Sequence, residues 1–175
     1  MGEDCVGRFV KRVRELGTGI FVVTKTSFKP NSCVEQIEDV TGVKLWEKVA
    51  HMVGEWGSGT TGDCGLSNVG VVMGATYPDD APKMRQILPN AWFLIPGFGA
   101  QGGGAKDAVV GLRSDGLGGA INNSRGLIYA YMDTKKGTLL CEDSPRCFDM
   151  VRQKAIGDRD ALVTAAREAG KWPHN

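Results

Sequence analysis

Four short apolar runs, each next to a segment with helical spacing, constrain the fold of this chain more than any other sequence feature. The runs span residues 20–24, 69–73, 92–95 and 119–123. Apolar residues recur every three or four positions in the segments between them, as expected of amphipathic helices. No Asn-Gly turn joins two runs, so no antiparallel hairpin is indicated. The alternation predicts an α/β fold with four parallel strands, each followed by a helix.

Two architectures can hold four parallel strands. Four strand-and-helix units within 175 residues have the spacing of a (β/α)8 TIM barrel, but a complete barrel has eight strands and roughly 250 residues. The chain is therefore predicted to be half of such a barrel, a single partial domain over residues 1–175. A small, open doubly wound sheet is the alternative.

Two finer features of the fold are also predicted. The first run, residues 20–24, is a continuous series of β-branched and aromatic residues, which is typical of a parallel strand buried on both faces. The C-terminal segment, from Ser144 to about Ala169, predicts a broken helix with Phe148 among its buried residues.

The charge and hydropathy of the chain exclude several classes of partner. Its 21 basic and 20 acidic residues are mixed and leave a formal charge of +1, so no overall field attracts nucleic acid or an anionic membrane. No apolar run reaches the roughly 18 residues of a membrane span, and the start, Gly2-Glu3-Asp4, does not resemble a signal peptide. A cytoplasmic protein without nucleic-acid or membrane partners is therefore predicted.

The cysteines indicate neither a disulfide framework nor a metal site. They are odd in number and no two have C-x-x-C spacing, which favours reduced thiols in the cytoplasm. The two histidines have no cysteine or acid at metal-ligand spacing, so no metal is expected. The cysteines are Cys5, Cys33, Cys64, Cys141 and Cys147.

A glycine-rich segment follows the third run and precedes a helix. Backbone N–H groups of such a loop can approach a ligand closely and its glycines can act as a hinge, which predicts a phosphate site or a lid. Gln101 is the polar side chain placed to reach a ligand. A flexible connector is the alternative. The predicted lid comprises Gly97, Phe98, Gly99, Gly102 and Gly103.

Polar residues at the ends of the other runs extend this predicted site. Arg125, in the segment 123–126, can bind a phosphate with two hydrogen bonds, helped by the segment's N–H groups; a surface salt bridge is the alternative. Lys25 could form a Schiff base, although a solvated lysine is favoured and Ser27 is the better ligand candidate. The segment 74–78, with Thr76, could close the floor or a wall of the pocket; a plain strand-to-helix turn is the alternative.

Four segments closely resemble the orotidine 5′-phosphate decarboxylase family, in particular its longer bacterial-type subfamily. They are Thr26-Ser27, Gly74-Ala75-Thr76-Tyr77-Pro78, residues 94–103 with the loop Pro-Gly-Phe-Gly-Ala-Gln-Gly-Gly, and Asn123-Ser124-Arg125-Gly126. The resemblance covers nearly the whole chain but only the C-terminal half of the family's barrel. It implies conversion of orotidine 5′-monophosphate to UMP and CO2, in pyrimidine nucleotide synthesis, without a metal or an organic cofactor.

The resemblance also implies roles for individual residues. Ser27 would hydrogen-bond the amide of the pyrimidine, Gln101 would reach from the pyrimidine to the phosphate, and Arg125 would bind the phosphate. Pro96 and Phe98 would pack at the pocket and the lid. The substrate-binding residues expected from it are Ser27, Thr76, Pro96, Gln101, Ser124 and Arg125.

One motif of the family has no counterpart in the chain. An Asp-x-Lys-x-x-x-Asp type cluster carries the family's proton donor, whereas Asp133-x-Lys135 and Asp158 lack the context of a strand end. No catalytic residue is therefore predicted. The expectation is a truncated chain that is inactive alone and that forms a homo-oligomer or pairs with the missing half of the barrel.

Two other functions stay open. A non-catalytic half-barrel could bind phosphate or a nucleotide and dimerise for its own stability. A fragment of a dinucleotide-binding oxidoreductase would use the pattern Gly97-x-Gly99-x-x-Gly102. The acid that should follow about 20 residues later, Asp115, lies in a predicted loop and not at a strand end, which disfavours this second alternative.

Overall fold

The computed structural model describes residues 3–28 and 34–172. Within these ranges, a sheet is formed by β1 (Ile20–Lys25), β2 (Ser67–Met73), β3 (Ala91–Ile95) and β4 (Gly119–Ile121). The helices are α1 (Glu3–Leu16), α2 (Leu45–Gly57), α3 (Ala81–Ile87), α4 (Ala105–Val109), α5 (Ser124–Ile128) and α6 (Ser144–Glu168). A 3-10 turn spans Val34–Gln36, and a hairpin pairs β5 (Met132–Asp133) with β6 (Thr138–Leu139). No helix in the described ranges is long and apolar enough to cross a membrane.

The strands β1 to β4 are parallel and lie side by side in the order in which they occur along the chain. Val71 of β2 pairs with Phe93 of β3, which pairs in turn with Gly119 of β4. A doubly wound sheet needs a reversal in this order, and the described strands have none. The prediction of a half-barrel sheet is therefore confirmed, and the carboxyl ends of its strands share one edge.

One face of the sheet packs against the helices and forms the core. Val69 and Val71 of β2 and Phe93 and Ile95 of β3 are almost wholly buried on this face. They belong to one apolar cluster with helix residues that include Trp46, Ala50, Val53, Met84, Ala108 and Val109. Burial of side chains of this size, at about 1.5–3 kcal/mol each, supplies the main driving force for folding.

The opposite face of the sheet is partly open. Phe21 and Val23 of β1 are 46% and 59% exposed, so the prediction of a strand buried on both faces is wrong. These residues pair in register with Gly70 and Val72 of β2, which point to the same face. In a complete barrel this face is the interior, where side chains from all strands pack together in layers.

The C-terminal helix is more regular and more exposed than the sequence predicts. α6 runs for 25 residues as one helix, and Phe148 near its start is 74% exposed rather than buried. Its buried residues are Ala165 and Ala166, close to its end. The difference arises because α6 packs against the short helices α4 and α5, so its first turns extend beyond the core.

A disulfide joins the β5–β6 hairpin region to α6. Cys141, which follows β6, is bonded to Cys147 in the first turn of α6, with a Cα–Cα distance of 5.8 Å. The prediction of reduced thiols is wrong for this pair, because the parity and spacing of cysteines do not show which of them meet in space. Cys5 and Cys64 are free and exposed, and Cys33 lies outside the described residues.

The turn of the β5–β6 hairpin explains why the sequence did not indicate it. Asp133 accepts hydrogen bonds from the backbone N–H groups of Lys135 and Lys136, and Gly137 has a positive φ of 67°. Asp and Gly thus support the turn from positions that are four residues apart. A search for adjacent Asn-Gly pairs does not detect such a turn.

Arg85 of α3 connects the amino-terminal ends of the strands with α4. Its guanidinium lies 3.6 Å from the centre of the Phe93 ring and donates hydrogen bonds to the carbonyls of Ala91, Gly111 and Gly118. Burial lowers the pKa of Arg85 to about 10, so the side chain remains charged at neutral pH. Arg85 is therefore a charged group inside the fold that donates several hydrogen bonds at once.

We expect Arg85→Ala to lower the free energy of unfolding by about 3 kcal/mol, because the variant loses several charge-assisted hydrogen bonds and the stacking on Phe93. Denaturant unfolding followed by circular dichroism measures this loss. The matched control is Arg12→Ala, which removes an exposed arginine paired only with Glu15 in the described residues and should cost less than about 0.5 kcal/mol. Equal effects of the two variants would contradict the assignment.

Candidate functional site

The segments that follow β1, β3 and β4 form a cavity at the carboxyl edge of the sheet. Its volume is about 190 Å³. It is lined by Ser27, Pro96, Gly97, Phe98, Ala100, Gln101, Asn122, Asn123, Ser124 and Arg125. The carboxyl ends of parallel strands are the usual position of a ligand site in α/β proteins. Of the residues that the sequence singled out, Ser27, Pro96, Gly97, Phe98, Gln101, Ser124 and Arg125 line this cavity, whereas Lys25, Thr76, Gly99, Gly102 and Gly103 do not.

Ser27 and Gln101 are in direct contact in this cavity. The Ser27 hydroxyl donates a hydrogen bond of 2.6 Å to Gln101 Oε1, which connects the loop after β1 with the loop after β3. Thr76, after β2, donates from its hydroxyl to the Ser27 carbonyl at 3.0 Å. Ser27 and Thr76 are both buried. In the described part of the chain, no hydrogen bond involves Gln101 Nε2, so this amide group can donate to a ligand.

The glycine-rich loop packs closely on its neighbours. Gly97 has a φ of 97°, and a Cβ there would lie 2.8 Å from Ser27 Cβ, so a side chain at this position would displace the loop. The loop is closed by hydrogen bonds from Gly99 N–H to the Gly103 carbonyl and from Gly103 N–H to the Gly97 carbonyl. These contacts hold the segment against the cavity. The alternative of a flexible connector is therefore not supported.

Arg125 lies in the first turn of α5, at the rim of the cavity. The Asn123 side chain caps this helix, because its Oδ1 accepts a hydrogen bond from Gly126 N–H at 3.1 Å. The expectation that all N–H groups of the segment face a phosphate is therefore wrong at Gly126. Arg125 itself is exposed, and within the described residues no carboxylate is close enough to form a salt bridge with it. The alternative of a surface salt bridge is not observed there.

Lys25 lies away from this cavity, on the side of the sheet that faces the helices. Its side chain is fully buried, and its Nζ is 2.9 Å from Asp80 Oδ2 and 4.2 Å from the centre of the Tyr77 ring. The interpretation of a solvated lysine is wrong because Asp80 and the aromatic rings of Tyr77 and Trp46 compensate its charge in the interior. Lys25 does not line the cavity, so the structure gives no support for Schiff-base chemistry there.

Two asparagines contribute to the cavity although the sequence analysis assigned them no role. Asn122 Nδ2 is 3.4 Å from Ser124 Oγ, while Asn122 Oδ1 is a buried acceptor without a hydrogen-bond partner in the described residues. Asn123 is buried and caps α5. An asparagine directly before a helix is a recognised capping signal, but the sequence pattern predicts no helix that begins at Ser124, so Asn123 is not identified. No comparable signal exists for Asn122.

Comparison with known proteins identifies relatives of this chain. It is 43% identical over 131 residues to the orotidine 5′-phosphate decarboxylase of Caldicellulosiruptor bescii, covering 75% of this chain and 43% of that protein. It is 35% identical over 165 residues to the enzyme of the same name from Clostridium perfringens, covering 94% and 55%. The chain is a relative of the orotidine 5′-phosphate decarboxylases. No family model matches it.

Solved structures agree with this assignment to the orotidine 5′-phosphate decarboxylases. The Leishmania donovani UMP synthase aligns with a TM-score of 0.67 and 31% identity over 94% of this chain and 31% of that chain. The OMP decarboxylase of Leishmania donovani aligns with a TM-score of 0.64 and 27% identity over 93% and 54%. The chain spans about half the length of the curated orotidine 5′-phosphate decarboxylases that it matches.

Proposed function

We propose that this chain supplies the substrate-binding half of an orotidine 5′-phosphate decarboxylase, which converts orotidine 5′-monophosphate to UMP and CO2 in pyrimidine nucleotide synthesis. The observation that carries the proposal is the 2.6 Å contact between Ser27 and Gln101, in the same cavity as Arg125. Two neutral hydrogen-bonding groups and one guanidinium in a single cavity suit a ligand with an amide at one end and a phosphate at the other.

The proposed contacts follow the chemistry of each side chain. Ser27 and Gln101 bind the pyrimidine amide, because a hydroxyl and a carboxamide can each donate and accept. Arg125 binds the phosphate with two hydrogen bonds, and Ser124 beside it at the rim of the cavity assists. Thr76 supports Ser27 through its hydrogen bond to the Ser27 carbonyl. Pro96, Phe98 and the glycines Gly97, Gly99, Gly102 and Gly103 form the wall and the lid.

The chemical step requires groups beyond those that line this cavity. In the reaction the bond between the ring carbon and the carboxylate breaks, CO2 leaves, and the electron pair left on the ring carbon takes up a proton. The cavity contains no lysine or carboxylate that could supply this proton. We therefore propose that the chain binds substrate but is inactive alone, with no metal or organic cofactor in the reaction. Its location is proposed to be the cytoplasm.

We expect the chain to bind UMP at least tenfold more tightly than CMP in isothermal titration calorimetry, because cytosine presents an amidine where uracil presents the amide that Ser27 and Gln101 recognise. Ser27→Ala should reduce this preference, and Ser58→Ala, in the loop after α2, serves as the control. Equal affinity for UMP and CMP, or no binding of UMP, would reject the proposed function.

The open face of the sheet supports a proposal about partners. Phe21 and Val23 are exposed on β1, which is an edge strand of the sheet. Unpaired edges and exposed apolar residues favour association with further strands. We propose that the chain forms a homo-oligomer or pairs with the other half of a barrel. The alternative function, a non-catalytic half-barrel that only dimerises, would also associate. It would show no decarboxylase activity, even when mixed with the other half of a barrel.

Sedimentation velocity should therefore show dimers or larger species of the isolated chain at micromolar concentration. The double substitution Phe21→Ser and Val23→Ser should shift the distribution toward monomer, because it removes the exposed apolar side chains of β1. A wild-type chain that is purely monomeric at this concentration and that unfolds cooperatively would contradict the partner proposal.

A further inference from the structure

Asn123 links three parts of the structure around the proposed phosphate site. Its Oδ1 accepts a hydrogen bond from Gly126 N–H, which fixes the first turn of α5 and with it the backbone of Arg125. Its Nδ2 donates at 2.8 Å to Oδ2 of Asp158, which lies 35 residues later in α6. Both polar atoms of the amide are therefore committed, each to a different element.

The Asn123 amide fits where it does because its neighbours, Gly99 and Gly126, have no side chains. A Cβ at Gly126 would lie 2.3 Å from Asn123 Oδ1, and a Cβ at Gly99 would lie 3.0 Å from Asn123 Nδ2. Gly99 belongs to the glycine-rich loop, so this loop rests on the same amide that caps α5. A change in the orientation of the amide would thus affect both the loop and the turn that carries Arg125.

Asp158 determines this orientation through its charge. A carboxylate accepts hydrogen bonds and cannot donate them, so it selects the amide orientation in which Nδ2 points to α6 and Oδ1 points to Gly126. Lys154, one turn earlier in α6, forms an ion pair with the other oxygen of Asp158. Asp158 is only 14% exposed in its side chain, so the carboxylate is held between these two partners.

We propose that Asp158 is a positioning residue for the phosphate site: through Asn123 it fixes the turn that presents Arg125 and the seat of the glycine-rich loop. This rests on the proposed function, because it assumes that Arg125 binds the phosphate of the nucleotide. Asp158 does not line the cavity and does not touch the ligand in this scheme. Its effect is therefore larger for ligands that carry a phosphate, because these contact Arg125 as well as the loop, whereas a ligand without a phosphate depends on the loop alone.

The test compares UMP with uridine, which lacks the phosphate, in titrations of the full chain. Asp158→Ala should weaken UMP binding on the order of tenfold and weaken uridine binding by about threefold or less, because uridine depends on the loop but not on Arg125. Asp158→Leu has a similar volume and no acceptor, so it serves, with the same expected effects, if the alanine variant does not fold. Asp160→Ala is the matched control, because Asp160 lies in the same helix and is exposed beside Arg159; it should leave the affinity for UMP unchanged.

An exchange of the two side chains tests the contact itself. Asn123→Asp places two carboxylates against each other and should weaken UMP binding at least tenfold. The double variant Asn123→Asp with Asp158→Asn restores a hydrogen bond of reversed direction, since the carboxylate introduced at position 123 would still cap α5 while the amide introduced at position 158 donates. Its affinity for UMP should return to within about threefold of wild type.

Each outcome decides the proposal. UMP affinity unchanged in Asp158→Ala, equal losses for UMP and uridine, or no rescue in the double variant would overturn it. If the wild-type chain binds neither ligand, the proposed function fails, and hydrogen exchange of the Gly126 amide then decides the positioning role. Exchange should be at least tenfold faster in Asp158→Ala than in Asp160→Ala, and equal rates would reject the role of Asp158 independently of any ligand.

Discussion

The isolated chain should release no CO2 from orotidine 5′-monophosphate above the uncatalysed rate. Enzymes accelerate reactions of this kind by many orders of magnitude, and the acceleration depends on groups that act at the reacting carbon. The cavity provides Ser27, Gln101 and Arg125, which are suited to bind the two ends of the substrate. Binding of remote groups lowers the barrier only when catalytic groups are also present to use it. The loss is therefore expected to be complete.

The measurement is a spectrophotometric assay on chain produced in a host whose own decarboxylase gene has been deleted. The control adds a second polypeptide that carries the Asp-x-Lys-x-x-x-Asp type cluster of the family on the other strands of a barrel. Activity in the mixture and none in either component is the expected pattern. Turnover by the chain alone that survives repeated purification would show that a proton donor exists among its own residues.

Replacement of Arg125 should have the largest effect on binding. Arg125→Ala is expected to weaken UMP binding on the order of a hundredfold, because Arg125 is the cationic side chain among the residues that line the cavity and charge-assisted, bidentate hydrogen bonds to phosphate are strong. Uridine binding should change less than twofold, since uridine carries no phosphate. Calorimetric titration of both ligands measures the two effects in one variant.

Two further variants separate charge from geometry at this position. Arg125→Lys retains the charge but loses the planar pair of donors, so its UMP affinity should lie between those of wild type and Arg125→Ala. Arg159→Ala is the control, because this exposed arginine of α6 is paired with Asp160 and does not line the cavity. A loss of less than threefold for UMP in Arg125→Ala would exclude Arg125 as the phosphate ligand.

The strands and the position of the site could be predicted from the sequence because both depend on local patterns. β2 and β3 are contiguous apolar runs, and their residues form the centre of the core. Ser27, Gln101 and Arg125 lie in the segments that follow β1, β3 and β4, and parallel strands joined by short crossovers bring their carboxyl ends to one edge. No long-range information is needed for either conclusion.

The errors concern features that depend on residues distant in sequence. Lys25 stands at a strand end like Ser27, but its burial is decided by Asp80 and Tyr77, which approach it from another part of the chain. Phe148 has helical spacing with other apolar residues, yet the helix that it belongs to packs on α4 and α5 rather than on the sheet. Periodicity identifies an element and its apolar face but not the neighbour that covers the face.

The hydrogen bond between Ser27 and Gln101 also affects how a nucleotide enters. The Ser27 hydroxyl and Gln101 Oε1 already bind each other, so an incoming pyrimidine that uses these two atoms gains only the difference between the old and the new contacts. A base that replaces both partners loses nothing in the exchange. A base that replaces only one leaves the other unpaired beside the buried Thr76. Under the proposed function, discrimination between bases would therefore begin when this bond is exchanged.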